Sequence, residues 1–329
     1  MPRRATNLVL LVAVGTLVAT GLVAWLLPES SALPLYLAHR VAGLTLVAAL
    51  LWKYAIARRS LARRIPRGDR SVWLGVLSAA LLVPSAGLGL AWTAGLVSFD
   101  RPWGYSALNL HVFAGLGLAG LVIAHALRRV EGRPALATLA GRRSLLRLGA
   151  LGVLGVVATA ALDRVSADRR ATGSRGAGSF TGNDFPLTSW TFDATVTLDP
   201  ASWRLIVSGD VTRRGLLSLD ELGTLPRREV AAVLDCTGGW WTEQRWRGVS
   251  LADLLDVHGA APTALVEVIS VTGHRWSFDR AEAEHAILAT HVGDESISAG
   301  HGYPLRLVVP GRRGFTWIKW VGEVAVTRR

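Results

Sequence analysis

One cysteine, Cys236, and two lysines, Lys53 and Lys319, are all that a chain of 329 residues contains of either type. A single thiol excludes any disulfide within the chain, so cysteine usage leaves the compartment open. The scarcity of lysine beside abundant Arg, Ala, Gly and Leu reads as coding bias, not mechanism. Acidic residues are also few: 24 Asp and Glu against 36 Lys and Arg leave a formal net charge of +12. Such an excess would suit nucleic acid, but many of the arginines cluster between long apolar runs in the first 150 residues. That is the signature of membrane topology, and no nucleic-acid partner is expected. The length suggests about two domains.

Five segments reach or approach the roughly 20 apolar residues that cross a bilayer: 6–27, 33–57, 71–97, 107–127 and 145–162. The connecting segments 57–70 and 128–143 are rich in arginine, whereas 28–34 has no basic residue and 98–106 has only Arg101. The asymmetry puts the N-terminus and both basic loops on the cytoplasmic side, and everything after the fifth span outside. Lengths and asymmetry together exclude a buried soluble bundle.

The second and fourth spans share a pattern. HRVAGLTLVAALLWK (39–53) and HVFAGLGLAGLVIAH (111–125) each open on His-x-x-x-Gly, near the outer end of the helix. Ionisable residues inside a membrane point to function, and His39 and His111 at matched depth suit axial ligation of a haem b. The glycine one turn on from each would leave room for the porphyrin face. A hydrogen-bonding histidine at the interface, in a transporter or sensor bundle, is the alternative. His125 lies 14 residues after His111, on nearly the same face and about 21 Å deeper, as a second stacked haem would need. Lys53 occupies the corresponding position on the second span, so that second haem stays open.

The fifth span begins GRRSLLRLGALGVLGVV (141–157), and the adjacent Arg142 and Arg143 before a modest apolar stretch resemble a twin-arginine export signal. Residues 163–182, rich in Gly, Ser and Arg, read as a linker. The soluble part beyond has strand-like runs at 203–211, 228–236, 264–271, 304–310 and 315–326, and a capped helix at 250–259. Strands with few helices indicate an α+β domain. Cys236 ends one such run and enters the turn-forming CTGG. A free cysteine is often a small buried hydrophobe; a nucleophile paired with His274, His285 or His301, or a soft metal ligand, are the functional alternatives.

DCTGGWW (235–241), RWRGVSLADLL (245–255) and GHGYPLRLVVPGRRGFTWIKWVGEVAV (300–326) together resemble the molybdopterin-binding domain of the sulfite oxidase superfamily, in the style of periplasmic methionine-sulfoxide reductases. The resemblance implies molybdenum held by a cofactor dithiolene and by Cys236. It implies cofactor contacts from His301 and Arg306, from Trp317, Ile318 and Lys319, from Asn183 and Phe185, and from Thr272. No dimerisation segment of the sulfite oxidase kind is present in the chain, so that dimer is not implied. Trp240 and Trp241 would suit an apolar substrate, and Arg245, Arg247, Arg312 and Arg313 an oxyanion, although a solvated basic rim is the simpler reading of the arginines.

The expected architecture is an all-α membrane bundle of five transmembrane helices followed by an α+β sulfite-oxidase-like molybdopterin domain. Its parts are a cytochrome b-like four-helix region (1–143), a fifth helix (144–162), a linker (163–182) and a molybdopterin oxidoreductase domain (183–329). The expected activity is oxygen-atom transfer on an S- or N-oxide at a Cys-ligated molybdenum outside the plasma membrane, coupled through haem b to a quinone. Alternatives are sulfite oxidation and a non-catalytic binding module on a membrane cytochrome.

Overall fold

The computed structural model describes residues 3–27, 29–97, 106–128, 142–165, 169–187 and 195–328. Most of the expected loops 98–106 and 128–143 lie outside that set. The chain divides into two compact units, Met1–Gly173 and Ser174–Arg329.

The first unit is helical: α1 (Arg3–Leu26), α2 (Glu29–Arg64), α3 (Val72–Thr93), α4 (Ala107–Leu127) and α5 (Arg142–Val165). Each is long and apolar enough to cross a membrane by length and composition. The helix α2 outruns its expected end at 57, because the Ala, Leu and Arg of the basic segment are good helix formers and its arginines sit favourably at a helix C-terminus. The turn that follows places Gly68 at φ +66°, and Asp69 accepts from Arg64 Nε at 2.8 Å and from the Ser71 N–H at 3.0 Å. At the start of α4, Ser106 and Asn109 form a reciprocal capping box. The helices α1 and α2 pack as one hairpin, α3 and α4 as another, and α5 lies on α2. A Cβ at Gly155 would stand 2.9 Å from the Val41 carbonyl oxygen, so this glycine sets how closely α5 approaches α2.

The second unit contains strands β1 (Arg175–Gly176), β2 (Leu205–Gly209), β3 (Gly215–Leu217), β4 (Arg227–Asp235), β5 (Trp240–Ser250), β6 (Leu265–Ser270), β7 (Arg275–Asp279), β8 (Ile287–Val292), β9 (Glu295–Ser296), β10 (Arg306–Val308) and β11 (Val321–Thr327). Short helices α6 (Leu219–Leu222), α7 (Leu251–Val257) and α8 (Arg280–Ala283) punctuate them. One sheet runs β3-β2-β11-β6-β7; the other has β5 at its centre, paired to β4, β1 and β8, with β10 and β9 beyond on β8.

Three expectations need correction. No strand is expected between 237 and 248, yet most of that stretch is β5, whose inward positions alternate as Trp240, Thr242, Gln244 and Trp246, all buried. Two polar residues on the inward face hide the apolar period of the strand. The run 315–326 is not one strand: a 3-10 turn at Gly314–Thr316 precedes it, and pairing begins only at Val321. The linker 163–182 is largely built into structure. The helix α5 continues to Val165, β1 pairs in parallel with Trp240 and Trp241, and the Phe180 N–H donates to Glu243 O at 2.8 Å. Its glycines Gly173, Gly178 and Gly182 take positive φ, letting the segment follow the β5 edge and satisfy groups that would otherwise be open. The second compact unit runs from Ser174.

Candidate functional site

Cys236 leaves the end of β4 buried, and its loop is a tight hairpin. The Cys236 N–H donates to Trp240 O at 2.8 Å, the Gly239 N–H returns to Cys236 O at 3.0 Å, and the Gly238 N–H points at Sγ from 3.3 Å. Among the described residues no three His, Cys, Asp or Glu side chains gather as a metal cage.

Arg306, at the start of β10, is buried. Its Nη1 donates to His301 O at 2.7 Å, and its guanidinium stands 5.4 Å over Trp246 and 5.9 Å over Trp317. Its Nε has no hydrogen-bond partner among the described residues. Burial pulls the guanidinium down to about 10, and the charge of Cys236 pulls the other way, toward the protonated form. A buried donor left open beside the thiol fits an acceptor-rich anionic group such as a phosphorylated pterin.

Around Arg306 an aromatic wall forms. Phe185 lies 3.9 Å from the His301 ring, 5.7 Å from Trp240 and 6.0 Å from Trp246, and Trp246 meets Trp317 at 5.5 Å. His301 has no ring nitrogen to spare. Nε2 donates to Phe185 O at 3.1 Å, and Nδ1 accepts from Ser298 Oγ at 2.8 Å. Burial, then the charges of Arg306 and Lys319, push this imidazole down to about 3. Both ring nitrogens are thus engaged by the protein, which braces the 295–301 segment. Asn183 is a brace as well: it donates to Glu295 Oε2 and Ser296 O, both at 2.9 Å, and accepts the Ser298 N–H at 2.8 Å. Trp317 donates to Arg312 O at 3.2 Å, Ile318 is buried, and Lys319 Nζ donates to Gly300 O at 2.7 Å. Thr272 sits in the β6–β7 turn, 3.0 Å from Ser270 Oγ, and that turn reaches the others through the Val271 N–H on Trp320 O.

The arginines divide. Arg245 is exposed and Arg247 half-buried, and Arg312 pairs with Glu282. Arg313 is not part of a solvated rim. It is buried and paired with Asp235, the residue before Cys236, at 2.8 Å. The members of this pair stand 78 positions apart in the chain, so no local pattern joins them. Trp240 is buried against Phe185, so it lines the core where a substrate contact was expected.

The helical unit brings His39 and His111 together, with ring centroids 6.1 Å apart at an interplanar angle of 75°. His39 Nδ1 lies 3.0 Å from Leu17 O and His111 Nδ1 2.7 Å from Ser85 O. A carbonyl only accepts, so in each neutral ring Nδ1 carries the proton and Nε2 keeps its lone pair. The glycines against the rings are Gly21 and Gly89, whose added Cβ would lie 3.1 and 3.0 Å from the imidazole Cε1. Gly43 and Gly115, expected to make room for a porphyrin, face Leu17 and Ser85 and let the paired helices approach. His125 lies against Gly75 in the same manner, while Lys53 donates to Asn7 Oδ1 at 2.9 Å.

Residues 192–329 match the oxidoreductase molybdopterin binding domain. The chain is 29% identical over 183 residues to human mitochondrial sulfite oxidase, covering 45% of this chain and 32% of that protein. It is 30% identical over 183 residues to the sulfite oxidase of Gallus gallus, covering 45% and 38%. It is 33% identical over 152 residues to the protein-methionine-sulfoxide reductase catalytic subunit MsrP of Xanthomonas campestris, covering 40% and 47%. The chain thus spans between a third and a half of the length of these relatives.

Proposed function

We propose that this chain, whose residues 192–329 form a molybdopterin-binding oxidoreductase domain, is a membrane-anchored enzyme that transfers an oxygen atom to or from a small molecule, and that it exchanges the electrons with a quinone through a haem b in its helical unit. The observation that carries the reading is the sole cysteine, buried at the end of β4 and electrostatically coupled to an arginine whose buried Nε has no partner among the described residues.

Bound there, the molybdenum cofactor supplies oxygen-atom transfer with a two-electron change at the metal. The protein supplies ligation and charge. Cys236 would give the thiolate, and Arg306 and Lys319 the positive charge for the anionic pterin. Phe185, Trp246 and Trp317 exclude water from the Arg306 side. His301, neutral because of its burial, and Asn183 hold the 295–301 segment in place.

In the helical unit, His39 and His111 would hold the haem iron, which would carry single electrons. Their ring centroids lie 6.1 Å apart. The hydrogen bonds at Nδ1 orient both rings, the usual device of ligating histidines. The five helices would sit in the lipid of the plasma membrane, with the basic end of α2 and Arg142 and Arg143 of α5 on the cytoplasmic side, and the molybdopterin domain outside.

Reduction of an S- or N-oxide is the first reading, because MsrP, a sulfoxide reductase by name, is 33% identical. Sulfite oxidation is the second, because sulfite oxidases are 29–30% identical. Assays of methionine sulfoxide with a reduced dye and of sulfite with an oxidised one separate the two.

The test is molybdenum and iron per chain in detergent-purified protein. One molybdenum and one iron, with a Soret band lost in His39→Ala and in His111→Ala, are expected. Two irons would bring in His125. Iron without molybdenum, from a host that makes the cofactor, would overturn the enzymatic reading; no haem absorbance would overturn the electron route.

A further inference from the structure

We infer that Asp235 and Arg313 are positioning residues for the Cys236 sulfur, a buried ion pair that fixes the loop from which the thiolate is presented. The inference rests on Cys236 being the molybdenum ligand.

Asp235 is the last residue of β4, and Arg313 stands 78 positions later, in the loop after β10. Their side chains are 6% and 2% exposed. Arg313 Nη1 donates to Asp235 Oδ1 at 2.8 Å, and Nη2 reaches Cys236 O at 3.4 Å. Ser174 Oγ donates to the same carboxylate oxygen at 2.6 Å. The two backbones also meet, in an isolated parallel bridge between Asp235 and Arg313. The next residue closes the contact: a Cβ on Gly314 would lie 3.0 Å from Leu234 Cδ1 and 3.2 Å from Cys236 Cα. The loop carrying Arg313 therefore lies flat on the backbone that carries the thiol.

Stability does not account for the pair. Two charges taken out of water recover little more than their desolvation cost, and a well-packed apolar pair often serves as well. What a guanidinium adds is direction, since its planar fork fixes two acceptors at once. Here the two acceptors are the carboxylate before the cysteine and the carbonyl of the cysteine itself. The orientation of a metal ligand by its neighbours tunes the metal, and losing such neighbours typically costs about 10- to 100-fold in affinity or activity. We assign that role to Asp235 and Arg313.

The experiment uses the full chain in detergent, from a host that makes the cofactor. Three variants are compared: Asp235→Asn, Arg313→Lys, and the double change Asp235→Leu with Arg313→Met, which removes both charges and strands neither. Molybdenum per chain, the Mo(V) electron paramagnetic resonance signal and the thiolate-to-metal absorption are measured. Expected are molybdenum contents within twofold of wild type and a displaced resonance and absorption in all three variants, because lysine keeps the charge but cannot hold both acceptors with one planar fork. A wild-type signal in the double variant overturns the inference. So does its loss of molybdenum with an intact fold, which would make the pair a cofactor contact. So does failure of the double variant to fold while Asp235→Asn loads molybdenum with a wild-type signal, which would make the pair structural alone. Wild-type protein without molybdenum removes the underlying reading of Cys236, a result distinct from an unchanged signal in molybdenum-loaded variants.

Discussion

His301 shows how much a single buried side chain can decide. Its folded imidazole takes up a proton only at about 3, against 6.5 for the free group. The unfolded chain therefore binds the proton first. The stability this neutral ring contributes is whole above pH 6.5 and is lost as the pH falls from there toward 3. For one proton the slope is about 1.4 kcal/mol per pH unit. His301→Asn should flatten the decline of Tm between those limits, and an equal decline in the variant would assign the acid sensitivity elsewhere. Arg306 calls for a different measurement. It is buried, and its Nε has no partner among the described residues, so Arg306→Met keeps the packing against Trp246 and Trp317 but withdraws the charge. We expect molybdenum per chain to fall at least tenfold with Tm within a few degrees; full molybdenum content would show that the cofactor does not use this residue. Cys236 and Arg306 were both legible from their motifs. The saturation of the His301 ring was not, because Phe185 and Ser298 reach it from separate parts of the chain.

Strand β5 organises the second unit. It pairs with β4 over its length, with β1 at Trp240 and Trp241, and with β8 from Trp246 onward. The pairing with β8 breaks register between Arg247 and Gly248, and there a Cβ would lie 2.0 Å from the Leu288 carbonyl oxygen. Gly248→Ala must push two central strands apart, so we expect a loss of about 3 kcal/mol or more in stability, seen as a lower denaturation midpoint; a midpoint within 0.5 kcal/mol of wild type would show that the strands yield easily. This strand was invisible to pattern reading because Thr242 and Gln244 point inward. Thr242 Oγ1 donates to Gly178 O at 2.6 Å and Gln244 Nε2 to Thr242 Oγ1 at 2.7 Å, partners brought by the segment that composition presents as a linker. The helices were the opposite case: uninterrupted apolar runs identify themselves, and only their polar ends, such as the extension of α2 to Arg64, depended on local helix propensity.

A strand-rich unit and a set of long apolar helices share one chain. Arg142 and Arg143 open α5. If they form a twin-arginine signal, replacing both with lysine should retain the molybdopterin domain on the cytoplasmic side, as read by protease protection in spheroplasts. Unaffected export would leave these arginines as ordinary topology determinants. Composition and order along the chain were enough for the five apolar helices, the charge asymmetry between their loops, the α+β character of the second unit, and the sulfur most suited to a metal. These are properties of local runs, set by hydropathy, by helix propensity and by the rarity of one residue type. Tertiary structure alone decided that Arg313 is buried against Asp235, that Gly21 and Gly89 touch the histidine rings, that Asn183 and His301 are braces, and that residues 174–182 belong to a sheet. Each of those depends on groups distant in sequence meeting in the fold, where a donor's use is settled by which acceptors the fold carries to it.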